Sequence, residues 1–142
     1  NTKDVGDRSE AMVLAALLRA GKVVLQPFGD NQRYDLVIDD SGVFKRIQVK
    51  TGRLKNGAIL ASTASTYAHR GGKRRGYIGQ ADLFAVYSPD TGQVYMVPVS
   101  ETPGTEISLR IDPPTRNTSS IRWAKDFLLG AQLVVQQAVN LR

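Results

Sequence analysis

The chain has 142 residues, enough for one domain with a real apolar core and too few for a second of full size. It has no cysteine and a single histidine, His69, which excludes disulfides, a thiolate metal centre and a cysteine nucleophile and leaves little for a Ser-His-Asp triad. Lys and Arg number 19 against 13 Asp and Glu, a formal charge of +6, so a polyanionic partner is favoured.

The opening Asn1-Thr2-Lys3-Asp4 has no signal-peptide character, and apolar runs such as Met12–Leu18 fall short of the ~20 residues of a membrane span. A non-secreted cytoplasmic protein of prokaryotic or phage type, with no membrane partner, is the expectation. A helix is predicted over about Arg8–Ala20, capped by Asp7 and stopped by Gly21, with Val13, Leu14, Leu17 and Leu18 as its apolar stripe. Val23–Gln26 reads as a short strand and Pro27–Asn31 as a loop. Tyr34–Asp39 and Val43–Thr51 alternate with period two around Asp39-Asp40-Ser41-Gly42, a hairpin signal. Ala58–Thr63 is expected to be a third strand of the same sheet. The Gly-, Lys- and Arg-rich stretch from Thr66 to Gly79 reads as a loop with room for a short helix. A second hairpin follows: Leu83–Tyr87, the turn Pro89-Asp90-Thr91-Gly92, and Val94–Val99. Ile107–Ile111 is a further strand, and a helix from about Ser120 to Leu141 closes the chain. That last helix is apolar on more than one side, which suggests burial against the sheet and against another subunit. The fold class is therefore α/β: one domain over residues 1–142, with a mixed sheet of about four to six strands flanked by an N-terminal and a C-terminal helix.

The first hairpin carries chemistry. With Asp40-Ser41 as the turn residues, Asp35 faces Arg46, and Asp35, Arg46, Gln48 and Lys50 share one face while Ile47 and Val49 take the other. Asp35 is then diagonal to Gln48. A carboxylate among Leu36, Val37 and Ile38 is costly to bury unpaired. A cross-strand Asp–Lys ion pair would satisfy it, and so would a metal ion. Glu10 lies three, four and seven residues before Val13, Leu14 and Leu17, on the core-facing stripe. Two accounts of it stand side by side: a metal ligand shared with Asp35, or the second half of a capping box with Asp7.

The positive charge is concentrated. Residues 61–80 hold Arg70, Lys73, Arg74 and Arg75 with no acid, whereas the preceding part has ten cations against seven acids and the following part five against six. Such a segment suits phosphate contact with counterion release, and the same residues would serve as a solvated loop kept for solubility. Its glycines would let the backbone approach DNA. Arg53 and Lys55 follow Lys50 closely enough to hold a strand beside it, or to sit in a solvated turn. Tyr67 and Tyr77 are open between base stacking and core, whereas Tyr87 reads as core.

Gly6-x-Arg8-Ser9-Glu10, Arg33-Tyr34-Asp35-Leu36-Val37-Ile38-Asp39 and Gln48-Val49-Lys50-Thr51 resemble the PD-(D/E)XK nuclease superfamily, and within it the group I intron-associated, homing-type endonucleases. Ala81–Tyr87 with Val94–Pro98, Leu109-Arg110 and Ile121–Phe127 extend the likeness over nearly the whole chain. The resemblance implies a restriction-endonuclease-like core and hydrolysis of double-stranded DNA. It also implies a site in which Asp35, Gln48, Glu10 and the Val49 carbonyl hold Mg²⁺, with Mn²⁺ able to substitute, while Lys50 serves the attacking water. Cutting both strands implies a homodimer or homotetramer. Gln48 departs from the acidic residue of the superfamily motif, although glutamine also stands there in the intron-associated group. A decayed DNA-binding module and a Holliday-junction-resolvase-like nuclease are the alternative expectations.

Overall fold

The structure, a computed structural model, describes residues 1–29, 31–63, 77, 79–102, 104–116 and 120–130, together with the backbone of 65–67 and 73–75. Helix α1 spans Thr2–Arg19. It starts earlier than the capping pattern predicted, because the Asn1 side chain accepts the Lys3 N–H and Lys3 pairs with Asp7 one turn on at 2.9 Å. Gly21, at φ +78°, ends it: the Gly21 and Lys22 N–H groups return to the carbonyls of Leu18 and Leu17. Val13 and Leu17 are fully buried and Leu14 is half-buried, but Leu18, expected on the same stripe, is 56% exposed.

Five strands form the main sheet in the order β1 (Val23–Leu25), β2 (Leu36–Asp40), β3 (Val43–Thr51), β8 (Leu83–Ser88) and β9 (Gln93–Pro98). The β3–β8 pair is parallel and the others antiparallel, so the sheet is mixed as expected. Between β3 and β8 the chain adds β4 (Arg53–Lys55), β5 (Ala58–Ser62), β6 (Ser65–Tyr67) and β7 (Lys73–Arg75). β10 (Glu106–Arg110), β5 and β4 make a separate three-stranded sheet, which corrects the assignment of Ala58–Thr63 to the main sheet. Gly52 is the point of departure. A Cβ there would lie 2.6 Å from Ile59 and 2.9 Å from Val86, so only glycine lets the two sheets approach so closely. β6 and β7 pair antiparallel, which replaces the loop expected after Thr66. The C-terminal helix expected from about Ser120 does not begin there: Trp123 bridges to Arg110 and Leu128 to Tyr95 around a 3₁₀ turn at Ala124–Phe127, and residues 131–141 of the expected helix lie outside the described residues.

Each face of the main sheet has its own core. Val13 and Leu17 of α1 pack on Leu36, Ile38, Ile47, Val49, Ala85, Val94 and Met96. The opposite face brings Phe84, Val86, Tyr95 and Val97 against Ile59, Ala61, Ile107 and Leu109 of the second sheet, with Tyr77 at one end. Period-two alternation along β3, β8 and β9 produces this division.

Ser9, 1% exposed, fastens α1 to the end of β3 through a 2.6 Å hydrogen bond between its hydroxyl and that of Thr51. Ser9→Ala leaves the Thr51 hydroxyl without this partner and is expected to cost about 1 kcal/mol of unfolding free energy, measured by urea titration.

Candidate active site

The β2–β3 hairpin closes through Ser41 and Gly42 at φ +54° and +89°, a two-residue turn with both residues left-handed. Asp40 pairs with Val43, Val37 with Arg46 and Leu36 with Ile47. The turn thus sits one residue later than expected, and Arg46 is opposite Val37 rather than Asp35. The Asp82 carboxylate takes Arg46 away from the site, accepting its Nε at 3.1 Å and its backbone N–H at 2.7 Å.

β3 is nine residues long and β2 only five, so the last part of β3 runs past the start of β2. Asp35 stands at that step. Its N–H donates to the Ile47 carbonyl at 2.8 Å, and its carboxylate accepts the Val49 N–H at 2.9 Å. The side chain therefore takes the place of a neighbouring strand for Val49. Since N–H and C=O of alternate residues point to the same edge, the Val49 carbonyl faces this open edge as well. The Gln48 amide reaches the same carbonyl, with its nitrogen 3.4 Å away.

Glu10 and Lys50 approach the step from opposite faces of the sheet. Lys50, like Gln48, belongs to the face away from α1, and its ammonium lies 4.7 Å from the Tyr77 ring centroid and 3.4 Å from the Tyr77 hydroxyl. Glu10 comes from α1, and with Asp35, Gln26, Pro27, Gly29, Gln32 and Tyr34 it lines a cavity of about 280 Å³. Glu10 lies well inside α1, which begins at Thr2, so the capping-box account of it is excluded.

The electrostatics bind these groups together. Burial raises the Asp35 carboxyl above its ordinary pKa, against the opposing pull of the Val49 N–H and the Lys50 charge. The Glu10 carboxyl is raised by burial first, then by repulsion from Asp35 and Asp7. Among the described residues no group of three His, Cys, Asp or Glu could hold a metal ion. The oxygen donors at the step are two carboxylates, one amide and one backbone carbonyl.

The structure therefore gathers Glu10, Asp35, Gln48, Val49 and Lys50. Arg53 and Lys55 are exposed on β4, with Arg53 3.8 Å from Glu106. Arg70 and His69 lie outside the described residues; Lys73, Arg74 and Arg75 form β7, and their side chains also lie outside them. The sequence reading missed the part played by Tyr77 and Arg33. Arg33 stacks over the Tyr77 ring at 4.1 Å, and nothing in local spacing links Tyr77 to Lys50, 27 residues earlier.

The fold and the sequence both have counterparts among known proteins. The chain aligns with a bacterial homing endonuclease, I-Ssp6803I, at TM-score 0.75 and 26% identity, covering 99% of this chain and 97% of that one. A Holliday junction resolvase, Hjc from the archaeal hyperthermophile Archaeoglobus fulgidus, aligns at TM-score 0.43 and 20% identity, over 74% of this chain and 83% of that one. No curated protein matches the chain. The family model described as PD-(D/E)XK endonuclease matches residues 1–130, from α1 through both hairpins to the Ala124–Phe127 turn. The mixed α/β architecture is accordingly the restriction-endonuclease-like one, and the chain belongs to the PD-(D/E)XK endonuclease family.

Proposed function

We propose that this protein is a divalent-metal-dependent endonuclease that hydrolyses phosphodiester bonds of double-stranded DNA in the homing or restriction manner, acting as a homodimer or homotetramer. The observation that carries the reading is the convergence of Glu10 and Asp35 on one cavity beside Gln48, the Val49 carbonyl and Lys50. The homing endonuclease that aligns over 99% of the chain supports the choice of activity.

The donor set fits a hard cation. Burial raises the cost of ionising both carboxylates, Asp35 adds to that of Glu10, and a positive charge shared between them relieves it. A half-turn of the Gln48 amide would exchange its donor nitrogen for an acceptor oxygen beside the Val49 carbonyl. Asp35, Glu10, Gln48 and the Val49 carbonyl would hold Mg²⁺, with Mn²⁺ able to replace it. When bound, the ion supplies Lewis-acid stabilisation of phosphoryl charge and lowers the pKa of the water it holds.

The chain's own residues do the rest. The Val49 N–H fixes the Asp35 carboxylate, so its free lone pairs face the cleft. Lys50 brings an ammonium to the same step, where it orients the attacking water and offsets charge developing on the phosphoryl oxygens. The water oxygen forms the new P–O bond and releases a proton to solvent as the bond to the leaving deoxyribose oxygen breaks, and that oxygen takes up a proton from a second water. Arg53 and Lys55 on β4, with Arg70, Lys73, Arg74 and Arg75, supply phosphate contacts along the duplex.

Incubating supercoiled plasmid with Mg²⁺ or Mn²⁺, beside Asp35→Ala and Lys50→Ala, tests the assignment. Cleavage by wild type alone is expected; cleavage that survives both substitutions overturns it. Tight duplex binding without cleavage under any metal would favour a decayed module, the reading to which Gln48 lends support. Gln48→Glu bears on the same point: a third carboxylate should tighten Mn²⁺ binding by about tenfold in isothermal titration. An unchanged affinity would place Gln48 outside the metal shell.

A further inference from the structure

We propose that the aromatic ring of Tyr77 is the positioning element for the Lys50 ammonium, holding it beside the carboxylate pocket and keeping it from closing onto Asp35. The inference rests on the reading of Lys50 as a catalytic group. Lysine carries its charge on a flexible four-carbon stem, and a nearby carboxylate draws that charge toward itself. Asp35 feels the Lys50 charge, yet no ion pair joins Lys50 to Asp35 or Glu10 among the described residues. What stands against the ammonium instead is Tyr77: its ring centroid is 4.7 Å away, and its hydroxyl accepts one hydrogen bond from the ammonium at 3.4 Å.

The difference matters chemically. A carboxylate partner would neutralise the ammonium, occupy its N–H donors and remove a lone pair that a cation needs. A ring face attracts the same charge through its quadrupole and leaves the remaining donors directed at a phosphate or a water. The ring is itself immobilised. Tyr77 is 5% exposed, and Phe84 meets it edge-on at 5.5 Å and 86°. The Tyr77 carbonyl accepts the N–H groups of Gln80 and Ala81 at 2.8 and 3.0 Å. Arg33 packs over the ring at 4.1 Å and donates to the Gln80 side chain. A ring so held is a fixed reference for a mobile lysine.

Two measurements on the intact protein test this. In metal-free, DNA-free protein labelled with ¹³C-lysine, the Lys50 ε-CH₂ protons should be shifted upfield by the ring current. The shift should persist in Tyr77→Phe and vanish in Tyr77→Leu. Second, single-turnover cleavage at saturating DNA should fall about tenfold in Tyr77→Leu with KM unchanged, and recover in Tyr77→Phe. In a Lys50→Ala background the Tyr77→Leu change should have no further effect, because the two residues act as one unit. Leu109→Ala, in the same apolar cluster but on β10, controls for general loosening and should leave the single-turnover rate intact. Equal losses in Tyr77→Phe and Tyr77→Leu, additive losses with Lys50→Ala, or a Lys50 signal without an upfield shift would each overturn the proposal. Full activity in Lys50→Ala would instead defeat the underlying catalytic reading, an outcome distinct from all three.

Discussion

Asp35→Asn is expected to reduce DNA cleavage by about 10³-fold while leaving the metal-free protein at least as stable as the wild type. The two effects have one cause. Asp35 is half-buried at the step between β2 and β3, where burial disfavours its charge more than the Val49 N–H and Lys50 favour it. Asparagine retains an oxygen to accept the Val49 N–H, so the backbone edge remains satisfied. It also removes the repulsion that Asp35 exerts on Glu10. A carboxyl whose folded pKa is raised binds its proton more tightly in the native than in the unfolded state. Its contribution to stability is therefore complete below the ordinary carboxylate pKa and is lost as pH rises through the raised folded value. Metal-free wild type should lose stability with rising pH across that window, and Asp35→Asn should lose less. Parallel urea titrations between about pH 4 and 7, in chelator, measure both slopes. A marked destabilisation of the variant at neutral pH would show that the carboxylate is structural.

Lys50→Ala should lower the single-turnover rate by about 10²- to 10⁴-fold and change duplex affinity only slightly. Lys50 lies on β3, the central strand of the main sheet, level with Val86 of β8, so its Cα is firmly placed. Its side chain contributes one charge at the step, whereas affinity for a duplex is a sum over many phosphate contacts. Loss of rate without loss of binding is the signature of a group that acts more strongly in the transition state than in the ground state. Fluorescence anisotropy in Ca²⁺ gives the affinity, and quench-flow cleavage after Mg²⁺ addition gives the rate. A variant that binds weakly yet cuts at the normal rate once saturated would make Lys50 a DNA anchor.

Much of the site could be anticipated from residue order. Alternation in Val43–Thr51 put Gln48 and Lys50 on one face and Ile47 and Val49 on the other, as β3 has them. Apolar spacing turned Glu10 toward the sheet, and Ser41-Gly42 lay inside the expected turn. The misplacement of the turn by one residue did not alter the facing of β3, since its cores fix which side chains point where. It did alter the partner of Asp35. The two turn residues had to be those able to take positive φ, and that choice was made by Ser41-Gly42.

The amino-acid order by itself determined the local periods, the hairpin turns, the stop of α1 at Gly21 and the concentration of positive charge, because each depends on residues within a few positions of one another. Only the tertiary structure decided that β5 leaves the main sheet and that Asp35 closes the open edge of β3. It alone brought Tyr77 against Lys50 across 27 residues of chain. Partner choice of that kind is settled by which distant surfaces bury one another, and short-range periodicity carries no record of it.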